Sequence, residues 1–195
     1  MSKEIITISR EFGSGGRYLG KQVADKLGIA FYDKDIIAKV AEESGLTKEY
    51  VEKYGEHSPK GGFLFYALEG KDFNGFSVNT YLASIQQKVI RDIADQGPCV
   101  IVGRGADYIL REREDCLSVF IYGEEAEKTA RIQQLYDKTE SEAKKMMKEM
   151  DKKRSANYNY YTDRLWGAPH NYSLCLNSST LGYERCVDFI IQSAK

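Results

Sequence analysis

Ile5-Ile6-Thr7-Ile8-Ser9-Arg10-Glu11-Phe12-Gly13-Ser14-Gly15-Gly16-Arg17-Tyr18 joins an apolar run, a glycine turn and the first residues of a helical pattern. Ile5 to Ser9 is short, β-branched and apolar at nearly every position, as suits a central parallel strand covered on both faces. Beyond the turn, Leu19, Val23 and Leu27 recur every four residues on one helical face, and Gly28 stops the helix. A strand that passes through glycines into a helix turns backbone N–H groups and the positive end of a helix dipole toward a phosphate. The expected contacts are Gly13, Ser14, Gly15, Gly16, Arg17 and Tyr18, with Arg17 the cation nearest the anion.

Two other registers fit less well. A dinucleotide fingerprint, G-x-G-x-x-G, fails because Tyr18 stands where its third glycine belongs. The pattern G-x-x-x-x-G-K-[ST] is met from Gly15 to Lys21, but Gln22 follows, and the helix would be delayed to Gly20. With the turn at Gly13 to Gly16 the helix begins at once and keeps its Leu19 contact.

The same alternation continues along the chain. Ala30 to Tyr32 is a second short strand, and Ile36, Ile37, Val40 and Ala41 mark a helix closed near Gly45. A further short helix is expected from Thr47 to Tyr54, while Gly55 to Val78 has weak periodicity of the kind found in binding loops and lids. Helical spacing returns from Tyr81 to Gln96, and Cys99 to Val102 is an apolar strand ending at Gly103-Arg104-Gly105. A short helix near Asp107 to Arg111, a strand from Leu117 to Tyr122, and helices from about Glu124 to Tyr136 and Glu140 to Arg154 follow. Leu174 to Leu176 is the last strand, and a helix bearing Val187, Phe189, Ile190 and Ile191 ends the chain. This order predicts a parallel α/β sheet sandwiched by helices in a single domain.

Composition confines the anion site to one locality. Twenty-eight Lys and Arg nearly cancel twenty-nine Asp and Glu across 195 residues, so no global charge draws the protein to nucleic acid or a membrane. No apolar run reaches membrane-spanning length, and the N-terminal residues have no signal-peptide pattern, so the expected location is the cytoplasm. Cys99, Cys116, Cys175 and Cys186 lack metal-ligand spacing and are expected as small buried core residues. His57 and His170 have no partner at useful spacing and receive no role.

Three stretches together resemble the cytidylate kinase-like family: Ile8 to Arg17, Phe31-Tyr32-Asp33-Lys34-Asp35-Ile36-Ile37, and Val100 to Leu110. Lys153-Arg154, Tyr158, Tyr160-Tyr161-Thr162, Trp166-Gly167, Pro169, Asn171-Tyr172 and Asn177-Ser178-Ser179 extend the likeness across nearly the whole chain. The resemblance implies a P-loop NTPase architecture: three layers, α/β/α, around a five-stranded parallel sheet. It also implies an acceptor-binding insertion, about residues 55–81, and a helical lid, about residues 138–166. The implied activity is transfer of a phosphoryl group from ATP, with Mg²⁺, to a nucleoside monophosphate, CMP or dCMP. Nucleotides are the expected partners.

The chain departs from the family's phosphate loop, which carries Lys followed by Ser or Thr. Gly16-Arg17-Tyr18 stands there, so Arg17 must supply the charge as a planar fork. Tyr18 is a poor substitute for a small metal-binding hydroxyl, leaving Ser9, Ser14 or water to contribute, with Asp33 or Asp107 as the acidic anchor.

Phosphoryl transfer asks mainly for cations around the moving group. Arg104 follows a buried strand at its carboxyl end, where ligands of open α/β sheets bind. Lys138 to Arg154 carries seven Lys and Arg against four Asp and Glu. Arg154 and Arg164 match basic lid positions of the family and, with Arg17 and Arg104, form the expected catalytic set. Asp33, Gln86, Arg91 and Arg104 are the expected acceptor contacts. Tyr158, Tyr160, Tyr161 and Trp166 read as packing that seats the lid; single-stranded RNA stacking is disfavoured by the balanced charge. Two alternatives stay open: a nucleotide-binding regulatory protein without turnover, and a P-loop kinase of another small acceptor.

Overall fold

The first strand is flanked by two strands that arrive much later in the chain. In the computed structural model, which describes residues 3–49, 51 and 78–195, β1 (Ile5–Arg10) lies between β3 (Cys99–Val102) and β4 (Cys116–Tyr122). Outside them sit β2 (Ala30–Tyr32) and β5 (Leu174–Asn177), giving the order β2-β3-β1-β4-β5 with every pairing parallel. Ile5 faces Cys99 on one side and Cys116 on the other, so the three central strands start level. From β1 the chain crosses to the β2 edge, returns to insert β3 beside β1, and then builds outward through β4 and β5 on the other side. The crevice beyond the carboxyl end of β1 is therefore the place where such sheets take ligands.

Alternation along the strands splits the core into two layers. Ile6, Ile8, Val100, Val102, Val119 and Ile121 pack under α1 (Gly16–Leu27) and α8 (Tyr183–Ala194). Ile5, Cys99 and Ile101 face α2 (Asp35–Ser44) and α3 (Val78–Asp95). On the helical face expected from Leu19, Val23 and Leu27, the first two are fully buried, each contributing about 1.5–3 kcal/mol of burial, and Leu27 is partly buried. Gly20 lets α1 approach the sheet closely, since a β-carbon there would stand 3.0 Å from Val102 and 3.2 Å from Ile8.

The remaining helices are α4 (Ala106–Ile109), α5 (Glu125–Tyr136), α6 (Glu140–Thr162) and α7 (Ser178–Leu181), the last unanticipated. Lys48, Glu49 and Val51 are helical, as the reading of Thr47 expects, but Tyr54 lies outside the described residues. So does the expected acceptor insertion up to residue 77; its last residues belong to α3.

Two expectations need correction. Only Cys99 and Cys186 are buried, while Cys116 and Cys175, all free thiols, are partly exposed at the starts of β4 and β5. The helix expected from Glu140 does not stop near Arg154 but continues for two more turns, carrying Tyr158, Tyr160 and Tyr161 with it. It starts at a capping box in which Thr139 and Glu142 satisfy each other's backbone N–H groups, and ends where Asp163 turns left-handed at φ 53°. Among the described residues no helix is long and apolar enough to cross a membrane.

Candidate active site

The glycine turn is held by packing on three sides. Gly13 and Gly15 have φ of 85° and 83°, a region that costs other L-residues about 1–2 kcal/mol. Gly15 caps α1, and a β-carbon on it would lie 2.7 Å from the Tyr183 ring. Ser14 is buried with its hydroxyl 2.8 Å from the Glu11 carbonyl and 3.2 Å from that of Ile121. The Ser178 hydroxyl donates to the Ser14 carbonyl at 2.8 Å.

The residues between β1 and the glycines are pinned as firmly. Lys128, almost wholly buried, pairs with Glu11 at 2.6 Å, and the Gly123 N–H donates to the same carboxylate at 3.2 Å. From α6, Asp151 accepts the Phe12 N–H at 2.7 Å and Arg154 donates to the Arg10 carbonyl at 3.1 Å. Phe12 also seals a small separate core with Ile132, Ala143 and Met147, which joins α5 to α6. α6 therefore rests directly on the backbone that leads into the glycine turn.

Between α6 and the carboxyl ends of the strands lies a cavity of about 40 Å³. Arg10, Arg104, Lys153 and Arg154 bring four cations to its wall, with Ser9, Asn157, Tyr158 and Trp166. The Asn157 amide nitrogen is buried without a hydrogen-bond partner among the described residues. A donor left so is costly unless something in the cavity accepts from it.

Below the cavity, Asp107 accepts from Ser9 at 3.0 Å and from Tyr158 at 2.7 Å. Burial pushes its carboxyl well above the usual range, against the pull of those two hydroxyls. Burial likewise raises the Tyr158 and Tyr172 phenols, Tyr172 to about 12. Asp151 is also raised by burial, opposed by the Phe12 N–H.

The residues expected to act together divide into groups. Arg104 and Arg154 meet at the cavity, and Gln86 reaches it indirectly by donating to the Arg104 carbonyl at 3.2 Å. Arg17 points elsewhere: its Nε lies 2.6 Å from Asp33, and its side chain is 64% exposed. Arg164 lines a different cavity, with Arg111, Ser118 and Asn171, and stands 5.3 Å over the Tyr108 ring. The left-handed turn at Asp163 takes it off the helix face that Arg154 shares. Arg91 does not join the site, because α3 runs from Gln86 away from the carboxyl ends of the strands and Arg91 is exposed. Tyr18 is exposed and leans on Tyr183, with Arg131 over both rings. Arg10, Lys153 and Asn157 are the additions that the glycine-turn reading did not supply.

The site accommodates phosphate oxygens better than it does a protein-held metal. Four cations and an unpartnered amide donor suit an anion. The Ser14 hydroxyl donates to backbone carbonyls and that of Ser9 to Asp107, which leaves their oxygen lone pairs open, while Asp33 is taken up by Arg17. Among the described residues no cluster of three His, Cys, Asp or Glu could hold a metal.

A parallel five-stranded sheet with a glycine turn opening α1 and helices on both faces is the P-loop fold. Residues 5–180 match the cytidylate kinase-like family, and the chain belongs to it. An uncharacterized protein from Eubacterium ventriosum ATCC 27560 is similar at 29% identity and TM-score 0.75, with 97% of each chain covered. A shikimate kinase from Bacteroides thetaiotaomicron shares the fold at 17% identity and TM-score 0.53, over 97% of this chain and 94% of that one. A shikimate kinase from Acinetobacter baumannii in complex with shikimate does so at 13% and 0.53, over 97% and 92%. No curated protein matches the chain at a significant level. Family and fold together support a phosphotransferase.

Proposed function

We infer that this protein transfers the γ-phosphoryl group of ATP to a nucleoside monophosphate, with CMP or dCMP as the acceptor its family suggests. The observation that carries the reading is the meeting of Arg10, Arg104, Lys153 and Arg154 with the unpartnered Asn157 amide, beyond a glycine turn at the carboxyl end of β1. Such transfer needs aligned oxygens and charge neutralisation more than covalent help from protein. Two of these cations come from the sheet side and two from the lid, so lid closure would complete the cage and exclude water. Backbone N–H groups of Gly13 to Gly16 would cradle the donor phosphates. Asp33, Gln86 and Arg104 border the acceptor side, and Arg17 acts there through Asp33. Arg164 would serve only if the turn at Asp163 reorients it on closure. Mg²⁺, held by phosphates and water, would add charge neutralisation when bound.

The test is ADP formation from ATP with CMP, dCMP, UMP, AMP and GMP, and with hydroxyl-bearing small molecules. Turnover with CMP or dCMP alone is the expected result. Turnover only with a small hydroxyl compound would transfer the reading to another acceptor. The absence of the usual loop lysine and of the Ser or Thr after it favours a second reading: a regulatory protein that binds nucleotide without turnover. ADP-dependent stabilisation with no product from any acceptor would establish that one.

A further inference from the structure

Two glycines without room for a side chain mark the path of one arginine. A β-carbon on Gly16 would lie 2.5 Å from Arg10 Cβ and 2.9 Å from its Cγ. One on Gly103, whose φ is 79°, would collide with Nη1 of the same residue, with Cζ only 3.0 Å away. Arg10, the last residue of β1, thus lays its stem along the first residue of α1 and its guanidinium on the turn after β3. It crosses the crevice between the two walls where the donor phosphates would enter, and shares the cavity with Arg104, Lys153 and Arg154.

The order of residues gives that path a chemical meaning. The phosphate-loop pattern G-x-x-x-x-G-K-[ST] starts at a strand end and reaches its lysine as the helix begins. With Gly15 as its second glycine, Arg10 falls at the first glycine, Gly16 at the lysine and Arg17 at the hydroxyl residue. Bare backbone at the strand end and a cation on the helix have changed places. The exchange is sterically reciprocal, because a side chain at position 16 and the Arg10 stem would claim the same space. Arg17 cannot restore the usual arrangement while it pairs with Asp33.

We propose that Arg10 is the catalytic cation of the phosphate loop, contacting the β and γ phosphates from the strand end in place of the missing helix lysine. The assignment rests on the phosphotransferase reading above. A guanidinium fork can take two phosphate oxygens at once and stays charged at every working pH. Two phosphate contacts from a single strand-end residue also leave the helix start free to lie against the ligand with backbone alone.

The test uses the full chain, with ADP affinity and ATP turnover as readouts. Arg10→Met keeps the stem between the two glycines and removes the charge. It is expected to retain the wild-type circular dichroism and melting temperature without ligand, and to lose at least tenfold in ADP affinity and a hundredfold in turnover. A folded R10M that binds and turns over like wild type makes Arg10 a spacer and overturns the proposal, leaving the kinase reading intact. An independent arm compares R10G with the double variant R10G/G16K, which moves the cation to the helix. The double is expected to regain at least tenfold of the activity R10G loses, and a double no better than R10G overturns the proposal. Wild-type protein that binds neither ADP nor ATP removes both the kinase reading and the role of Arg10.

Discussion

The Tyr158 hydroxyl donates to Asp107 across 2.7 Å, tying α6 to α4, the short helix just past the turn after β3, inside the protein. Ser9, from β1, donates to the other oxygen of the same carboxylate. One buried acid therefore holds three elements that meet at the candidate site: the strand that leads into the glycine turn, the turn that carries Arg104, and the helix that carries Arg154. The lid's position is set by hydrogen bonds whose loss leaves a buried polar group short of a partner.

Tyr158→Phe removes one of the two hydroxyls on a buried carboxylate while keeping the ring. Leaving a buried acceptor short of a partner costs about 1–3 kcal/mol, and the variant is expected to lose stability in that range by denaturant unfolding. Amide exchange across residues 151–162 is expected to quicken more than exchange in β1. Equal exchange in lid and sheet would show that Tyr158 acts on the whole fold and does not seat the lid.

Asp107 gives the stability a pH dependence of known sign. Burial raises its carboxyl in the folded chain, so between the ordinary value of about 3.9 and the raised one the folded state holds a proton that the unfolded state has released. Its contribution is greatest at low pH and falls as pH climbs through that window. Asp151, raised for the same reason, acts in the same direction. Asp107→Asn cannot ionise, so its melting temperature is expected to approach or overtake that of wild type as pH rises from 4 to 7.5. A difference that stays constant, or widens against the variant, contradicts the assignment.

Most of the architecture was legible because it rests on apolar spacing. β3 is an unbroken apolar run, β1 and β4 are apolar but for Thr7, Ser9, Arg10 and Ser118, and the α1 boundaries fall at two glycines. The lid was harder: Met147, Asp151, Arg154, Tyr158 and Thr162 recur at helical intervals, but the face they form is polar and turned toward the site, so an apolar pattern fades after Met147. Arg91 could have been set aside from spacing alone, since five residues from Gln86 lead to another side of a helix. Arg10 was hidden for a different reason. Nothing in Arg10-Glu11-Phe12 hints at a ligand until Gly16 and Gly103, far apart in sequence, are found against the same side chain.

Gly15→Ala separates two costs at the glycine turn. The methyl group meets the Tyr183 ring at 2.7 Å, and the backbone must hold φ near 83° with a side chain in place, about 1–2 kcal/mol by itself. In a double-mutant cycle with Tyr183→Ala the steric part is expected to vanish and the backbone part to remain. The G15A penalty should therefore shrink to about 1–2 kcal/mol in the Y183A background without reaching zero. A penalty unchanged by Y183A would mean that the ring yields freely and that conformation is the whole cost.

Arg104 occupies a left-handed backbone conformation, φ 59°, between Gly103 and Gly105. A residue with a β-carbon costs about 1 kcal/mol or more there relative to glycine, and the fold keeps an arginine at the cavity wall even so. Its carbonyl is braced by Gln86, which fixes the direction in which the side chain leaves. Arg104→Gly removes both the strain and the cation while keeping the backbone donor and acceptor. Thermal unfolding is expected to be unchanged or raised, because local strain is relieved, although glycine's freer unfolded chain offsets part of that gain. Phosphoryl transfer in the same variant is expected to fall by about two orders of magnitude, in line with the loss of one charge-stabilising donor. Stability and activity moving in opposite directions is the signature of a residue kept in strain for its chemistry. A variant that loses both, or neither, would return Arg104 to the role of a surface side chain after a strand.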